Sequence, residues 1–398
     1  MPDPPSVFIA EDVDPDRVSG ANVELFPGTR LAGASTLVSE GCRIGTEGPA
    51  VVSGCALGKN VTLGSGSFSG AVLLEGASTG PSCHIRPATI LEEQASCAHA
   101  AGLKHTILFP FVTLGSLVNF CDALMAGGTS RKDHSEVGSS YIHFNFTPQQ
   151  DKATASLVGD VPRGVTLRER PVFLGGQGGL VGPCRIAFGT VIAAGCVWRK
   201  DVEEGGKLLT DPGPRRVEVI FPAGMYRSVK RAVINNLIYM ANLVALNRWY
   251  REVRSLFPND PLSRALHGAL LARLAEVFEE RVRRFSELSE KMPRSIEEYA
   301  RVYPDDAEGA VVARKKELHA RASEVTDSLR TAFFDDRICP ESEQVATAVS
   351  AGIREKGNNY LSVIRSLSEA DSGLAVSWLS RAVAETLAQA LANLPLFA

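Results

Sequence analysis

Large hydrophobic residues recur every six positions through the first half of the chain. In one run a small or slim residue follows four positions after most of these, and its leading members are Leu174, Leu180, Ile186, Ile192 and Trp198. Earlier runs in the same pattern begin at Leu25, Val51 and Thr79. This period is typical of a β-helix, in which one aliphatic residue per short strand points inward and stacks on the next coil. We therefore predict a parallel β-helix over residues 21–205, with roughly ten coils of three strands.

The six-residue pattern breaks near residues 120–170. This stretch is polar and contains His134, His143 and Lys152. Insertions in repeat proteins map to loops on one face, which is often the binding face. We expect a functional site in this insertion. Stacked coils cannot cover their own end faces, so we expect residues 1–20 to form an N-terminal cap.

The second half of the chain has helical periodicity. After a Pro- and Gly-rich linker at 206–220, apolar residues are spaced by four from Val229 onwards, which is typical of an amphipathic helix. A further helix is expected from Pro261 to about Met292. Helical patterns also cover about 306–334, 341–368 and 372–393, so we predict an all-α domain over 221–398. Mixed charge runs such as FEERVRRF are interpreted as solvated faces.

Composition narrows the class of protein. The chain has 398 residues, 44% hydrophobic, and a net charge of −3, which excludes disordered and collagen-like classes and gives no overall indication of nucleic-acid binding. The N-terminus lacks the basic and apolar regions of a secretory signal, and asparagines interrupt the most apolar run, Val233 to Leu246. The eight cysteines form no CxxC pair. We predict a soluble cytoplasmic protein with reduced thiols and no membrane span.

Two segments resemble a known family. The stretch VGSSYIHFNFTPQQDKATASLVGD and the run LGGQGGLVGPCRIAFGTVIAAGCVWRKD are similar to the left-handed β-helix acyltransferases of the hexapeptide family. Within that family they resemble the acetyltransferase domain of the bifunctional glucosamine-1-phosphate acetyltransferase and UDP-N-acetylglucosamine pyrophosphorylase. The left hand of the predicted β-helix is implied by this resemblance. So is a homotrimer with sites between neighbouring β-helices.

The resemblance also implies roles for residues. Asn145 and Phe146 fall on the family's Asn-Tyr pair near the acetyl group and the acceptor sugar. Lys152 falls on or near a lysine that holds the acceptor phosphate. Gly176 and Ala194 fall on positions that line the acetyl-coenzyme A groove. Arg199 lies just beyond, where a basic residue could contact coenzyme A phosphates.

The chain departs from the family pattern at the catalytic base. The family uses a histidine one coil before the Asn-Tyr pair, and an ungapped alignment places Asp122 there. Phe146 replaces the tyrosine, and the following loop is longer. No Gly-rich start of a nucleotidyltransferase domain occurs, so pyrophosphorylase activity is not expected.

Acyl transfer needs a base that accepts a proton from the nucleophile, and a neutral imidazole suits that role at pH 7. His134 and His143 are the candidates, with Asp122 third. Lys152 and Arg131 could pair with a sugar phosphate through charge-assisted hydrogen bonds. His84, His99 and His105 raise the question of a metal site, but their spacing does not match the pattern of the zinc-binding relatives, and we predict no metal.

Three functions are compatible with the sequence. The leading one is an acyltransferase that uses acetyl-CoA as co-substrate and acts on a sugar phosphate or a nucleotide sugar. The alternative is a non-catalytic nucleotide-sugar-binding or scaffold protein whose helices dock partners. A metal-dependent hydratase is the third.

Overall fold

A computed structural model describes residues 3–211, 213, 218 and 221–398. The predicted architecture is confirmed: a parallel β-helix is followed by an all-helical region. The longest of its three sheets has ten strands, in agreement with the expected number of coils. The first strand, Phe8–Ile9, lies inside the segment expected to be a cap. Residues 212, 214–217 and 219–220 of the predicted linker lie outside the described residues.

Successive strands of the coil pass from sheet C to sheet A to sheet B. Sheet C consists of β2 (Glu24–Leu25), β5 (Arg43–Ile44), β8 (Thr62–Leu63), β11 (Ser78–Thr79), β14 (Ser96–Cys97), β17 (Thr113–Leu114), β21 (Glu136–Val137), β24 (Phe173–Leu174), β27 (Val191–Ile192) and β29 (Leu208–Leu209). Sheet A consists of β1 (Phe8–Ile9), β3 (Arg30–Ala32), β6 (Ala50–Ser53), β9 (Gly66–Ser69), β12 (Cys83–Ile85), β15 (Gly102–Leu103), β22 (Ile142–Phe144), β25 (Gly179–Val181) and β28 (Val197–Trp198). Sheet B consists of β4 (Leu37–Val38), β7 (Ala56–Leu57), β10 (Ala71–Leu73), β13 (Thr89–Leu91), β16 (Thr106–Leu108), β18 (Ala123–Met125), β23 (Ser156–Val158) and β26 (Arg185–Ile186).

The insertion near 120–170 is smaller than predicted, because four of its strands are regular members of the three sheets. The irregular parts are an antiparallel hairpin of β19 (Gly128–Ser130) and β20 (Asp133–His134), the loop after β22, and the short helix α1 (Val161–Gly164). The coil pattern therefore continues through the insertion. Only the connections between strands are enlarged.

Sheet C shows the pattern expected of a half-buried strand. Most strands have an inward aliphatic residue, such as Leu25, Ile44 or Leu63, that stacks on the same position in the next coil. The outward residues of the early coils are polar and reach solvent. The alternation arises because neighbouring side chains on a strand point to opposite faces. The six-residue period arises because each coil has three such short strands and turns between them.

Sheet B is apolar on both faces. The outward residues of its first seven strands lie in register and are almost fully buried: Leu37, Ala56, Val72, Ile90, Ile107, Leu124 and Leu157. Helices α2 (Lys230–Glu252) and α3 (Pro261–Glu290) pack against this face. The remaining helices are α4 (Met292–Val302), α5 (Ala310–Phe333), α6 (Pro340–Lys356), α7 (Tyr360–Ser366) and α8 (Glu369–Ala392). The helical region thus replaces solvent on one side of the β-helix.

The asparagines that interrupt the apolar run of α2 dock this helix on the β-helix. Asn242 accepts a hydrogen bond from the Val161 amide at 2.9 Å, and Asn236 donates to the Ala153 carbonyl at 2.8 Å. Buried polar groups cost free energy unless they are paired, so these bonds fix where α2 sits.

Two helix boundaries differ from the prediction. The pattern at 341–368 is two helices, because Gly357 adopts a positive φ of 80° and Asn359 caps α7. The helix expected to end at Met292 is followed at once by α4. Across the described residues, no helix combines the length and the apolar character needed to cross a membrane.

Candidate active site

Two corner residues on neighbouring coils form the centre of the candidate site. His105 precedes β16 and Asp122 precedes β18, both with positive φ, 49° and 57°. Because the coils stack in register, the Asp122 amide donates to the Lys104 carbonyl at 2.9 Å. The two side chains therefore meet, with His105 Nδ1 3.2 Å from Asp122 Oδ1.

Asp122 is buried, with 3% of its surface exposed, and it is surrounded by hydrogen-bond donors. Asn145 and the guanidinium of Arg281 both donate to its carboxylate, in addition to His105. Burial raises the pKa of Asp122, but Arg281 and the two hydrogen bonds outweigh it, so the pKa is lowered overall. Asp122 is therefore a permanent carboxylate, a weak base and a strong acceptor.

An ionised Asp122 fixes the tautomer of His105. A carboxylate can only accept, so Nδ1 of His105 carries the proton that it donates to Asp122. Nε2 is then the basic nitrogen of the ring. This is how a carboxylate orients an imidazole for general base chemistry.

Beside this pair lies a polar cavity of about 170 Å³. Its lining consists of Arg86, Lys104, His105, Asn119, Cys121, Asp122, Asn145, Lys152 and Glu280. Within the described residues, neither Lys104 nor Lys152 has a carboxylate within 4.0 Å of its ammonium group, whereas Asp122 and Glu280 are already paired with arginines. The unpaired charge is positive, which suits an anionic group of phosphate size.

A second cavity of about 580 Å³ adjoins the first. His105 and Glu280 line both, so the imidazole lies between a small cationic space and a larger one bounded by α3. The larger space is in the range of small-molecule sites. A ligand could thus hold an anionic end in one cavity and present a nucleophile to His105.

The helical region holds the loop that carries Lys152. Tyr226 donates to Asp151 Oδ2 at 2.6 Å, and Gln149 donates to the Met225 carbonyl at 3.0 Å. Arg281 Nη1 also donates to the Lys152 carbonyl at 3.4 Å. The site is therefore built from both parts of the chain.

Of the residues predicted from sequence, Asp122, Asn145 and Lys152 come together in the cationic cavity. Phe146 lies beside them but outside the lining. Its side chain is exposed, and its ring centre is 6.0 Å from Lys152 Nζ. Its position allows a contact with a ligand at the rim, but no phenol hydroxyl is present there.

His143 is a core residue. Nδ1 lies 2.5 Å from the Cys121 carbonyl oxygen and Nε2 lies 2.7 Å from Ser156 Oγ. Burial lowers its pKa. With both nitrogens occupied inside the β-helix, this side chain is not available to a ligand.

His134 and Arg131 lie on the β19–β20 hairpin, away from Lys152. Arg131 Nη1 donates to the Phe111 carbonyl and to Thr113 Oγ1, both at 2.9 Å, and so fastens the hairpin to the coils. His134 Nδ1 is 3.0 Å from the Arg131 carbonyl. Neither residue lines the cavities beside His105.

Gly176 and Ala194 lie at the corner between sheets C and A, and neither lines the cavities beside His105. Their neighbourhood shows why small residues occur here: a Cβ added at Gly175 would lie 2.3 Å from the Ala194 amide nitrogen. Arg199 is exposed and contacts the Val197 carbonyl and Asp211. The three residues expected at the coenzyme A groove thus have roles in coil stacking or at the surface of the single chain.

Two residues of the candidate site, His105 and Arg281, were not predicted from the sequence. His105 could have been found from the sequence, because it occupies the same position in its coil as Asp122 does in the next. Arg281 could not, since it belongs to the FEERVRRF run that was interpreted as a solvated face. That interpretation is wrong for Arg281, of which only 1% is exposed.

The three histidines considered for a metal site have different surroundings. His84 is exposed on β12, and His99 Nδ1 is 2.9 Å from Ser116 Oγ, whereas His105 contacts Asp122. Among the residues that the structure describes, no three His, Cys, Asp or Glu side chains are grouped as metal ligands.

Comparisons with known proteins point to one kind of relative. No family model matches the chain. The bifunctional protein GlmU of Pseudomonas fluorescens Pf-5 is 29% identical over 133 residues, which is 33% of this chain and 25% of that protein. GlmU of Pseudomonas putida GB-1 is 29% identical over 154 residues, 37% of this chain and 30% of that protein. GlmU of Nitratidesulfovibrio vulgaris DP4 is 27% identical over 135 residues, 34% and 26% of the two chains.

The chain spans less than a third of the length of these relatives. The similarity therefore concerns one part of each protein. Over about a third of its length, this chain is homologous to the bifunctional protein GlmU.

Proposed function

We propose that this protein transfers an acyl group from a coenzyme A thioester, most simply acetyl-CoA, to an amino or hydroxyl group of a sugar phosphate or nucleotide sugar. The observation that carries the proposal is the His105–Asp122 pair at the edge of a cavity with two unpaired lysines. The partial similarity to GlmU supports the same class of reaction.

The chemistry assigns one role to each side chain. The acceptor phosphate pairs with Lys104 and Lys152 in the small cavity. The acceptor nitrogen or oxygen attacks the thioester carbonyl while Nε2 of His105 takes its proton. A carbon–nitrogen or carbon–oxygen bond forms, the carbon–sulfur bond breaks, and the proton passes to the leaving thiolate. Asp122 stabilises the imidazolium that exists between these two transfers.

Asp122 itself is not the proposed base. Arg281 lowers its pKa, and a carboxylate that is hard to protonate cannot accept a proton efficiently near pH 7. The role of Arg281 is to keep Asp122 charged and in place. In this proposal Arg281 is a positioning residue, since it acts through Asp122.

The test combines binding with turnover. We expect wild-type protein to bind glucosamine 1-phosphate in calorimetry and to release thiol from acetyl-CoA when both are present. Lys152→Met and Lys104→Met should each weaken binding about tenfold, which is the loss of one charge-assisted hydrogen bond. Lys132→Met removes an exposed lysine on the hairpin and should leave binding unchanged.

Two outcomes would change the proposal. Binding of the sugar phosphate without thiol release favours the non-catalytic alternative, a nucleotide-sugar-binding or scaffold protein. Binding that is equally affected by Lys132→Met would show that the cationic cavity is not where the phosphate binds.

A further inference from the structure

Another cavity, of about 400 Å³, lies at the opposite end of α3 from Arg281. It occupies the corner between sheets B and C, where Lys59, Glu75 and Glu93 leave the β-helix, and the turn before α3 closes it. It shares no lining residue with the two cavities beside His105. The proposed function makes no use of it.

Negative charge is in excess in this cavity. Arg254 is already paired with Glu92 and Glu93, each at 2.7 Å, and Lys59 is paired with Glu40 at 2.6 Å. Glu75 has neither a hydrogen bond nor an ion pair to its carboxylate within the described part of the chain. Burial and the nearby Glu93 raise the pKa of Glu75. The nearby ammonium group of Lys59 lowers this pKa in part, but Lys59 forms its ion pair with Glu40 and not with Glu75.

The cavity offers a second acceptor. His267 Nε2 lies 2.8 Å from the Tyr250 carbonyl oxygen, which can only accept, so Nε2 carries the proton. Nδ1 is then a free acceptor on a neutral ring, because burial lowers the pKa of His267. Glu75 and His267 can therefore both accept a hydrogen bond from a ligand.

Part of the lining is apolar. Leu74 and Leu270 are almost fully buried, and Leu266 is half-buried. The ring of Phe257 packs edge-on against Tyr360 with centroids 5.2 Å apart, which holds the rim in place. An apolar lining with a few convergent polar groups is the usual composition of a small-molecule site.

We propose that this cavity binds a small organic cation, a primary amine carried on an apolar body. The ammonium group donates to the Glu75 carboxylate, and the apolar body packs against Leu266 and Leu270. The ligand is monocationic because, of the three carboxylates that line the cavity, Glu93 is paired with Arg254 and Asp260 accepts from the Ser263 amide, which leaves Glu75 without a partner among the described residues.

The test uses a matched set of probes on the full-length protein. Calorimetry measures binding of 2-phenylethylammonium, its neutral analogue 2-phenylethanol and its anionic analogue phenylacetate at fixed ionic strength. We expect the amine to bind about tenfold more tightly than the alcohol, and phenylacetate to bind more weakly still. Glu75→Gln should remove the preference for the amine. Glu47→Gln, which changes the same charge at an exposed position, should leave it intact.

Equal affinity for the amine and the alcohol would overturn the proposal, as would an amine affinity that Glu75→Gln leaves unchanged. Circular dichroism of both variants verifies that the fold is retained. Since the probes contain neither a phosphate nor a thioester, the result is independent of acyl transfer at His105.

Discussion

The charge on Asp122 is the residue-scale feature that organises the candidate site. It is buried, yet three donors from three separate parts of the chain converge on it: His105, Asn145 and Arg281. A buried ion pair is costly to break, because removing one partner leaves the other charge without compensation.

We therefore predict that Arg281→Met lowers the free energy of unfolding by about 3–5 kcal/mol. The double variant Arg281→Met with Asp122→Asn removes both charges and should be closer to wild type than either single variant. Urea denaturation of the four proteins measures this coupling. Additive losses in the double variant would show that the two side chains do not interact.

The same pair makes stability depend on pH. Because the folded-state pKa of Asp122 is below its unfolded value, its contribution is complete above about pH 4 and is lost as the pH falls further. Asp122→Asn should therefore flatten the acid side of the stability curve. Thermal unfolding between pH 3 and 6, with wild type as the reference, measures the difference.

Glu92 should have the opposite effect. Burial raises its pKa to about 7, against the attraction of Arg254. A carboxyl group with a raised folded-state pKa stabilises the fold most at low pH, and this contribution is lost as the pH rises from about 4.5 to 7. Glu92→Gln should remove that part of the pH dependence in thermal unfolding. An unchanged slope would mean that Arg254 keeps Glu92 ionised throughout.

At this scale the sequence predicted only part of the site. Asn145, Lys152 and Asp122 were expected at the candidate site because of the family resemblance, and they line one cavity. Arg281 could not be found, because its partner lies 159 positions away in the chain and its own surroundings look like a charged surface helix. His143 was predicted as a candidate base, but it occupies an inward position of the repeat. A carbonyl and a hydroxyl group inside the β-helix form hydrogen bonds with both of its ring nitrogens.

At the scale of elements, the outward-facing apolar residues of sheet B determine where the helical region packs on the β-helix. Apolar residues at both inward and outward positions give continuous runs such as Ala71–Leu73, whereas sheet C alternates. A strand buried on both faces is expected to lose this alternation. The short apolar runs can be recognised in the sequence. The sequence does not show which of the predicted helices pack against them.

We predict that Ile107→Ala destabilises the protein by about 2–5 kcal/mol, because it opens a cavity between β16 and the helices. The matched control is Val51→Ala in sheet A, where the side chain is 41% exposed and the loss should be within about 0.5 kcal/mol. Chemical denaturation distinguishes the two. Similar losses at both positions would contradict the claim that the helices cover sheet B.

At the scale of the whole molecule, the β-helix and the helices form one core and build one site. A chain ending at residue 211 would expose the apolar outward row of sheet B, including Val72, Ile90 and Leu124. We predict that this fragment aggregates in size-exclusion chromatography, while the full chain does not. A monodisperse fragment would show that the two halves are independent domains.

The homotrimer implied by the family resemblance remains a prediction. Sheet B is covered by the chain's own helices, so a trimer formed through sheets of the β-helix would use sheet A or sheet C. In the last coils of sheet C, Phe173, Val191 and Leu208 are exposed and aligned, where earlier coils have polar residues. Val191→Asp should therefore dissociate a trimer in sedimentation equilibrium. A trimer that persists in this variant would indicate a different contact surface.

The proposed role of His105 in acyl transfer is tested most directly by the rate of thiol release from acetyl-CoA with glucosamine 1-phosphate as acceptor. The rates of the His105→Gln and His84→Gln variants are compared with that of the wild type. His84 is an exposed histidine on the same β-helix, outside both cavities. If His105 is the general base, we expect His105→Gln to lower kcat/KM by about 10²–10⁴, which is the usual contribution of such a base. We expect His84→Gln to leave kcat/KM unchanged. An active enzyme in which His105→Gln retains the wild-type rate would contradict the proposed role of His105.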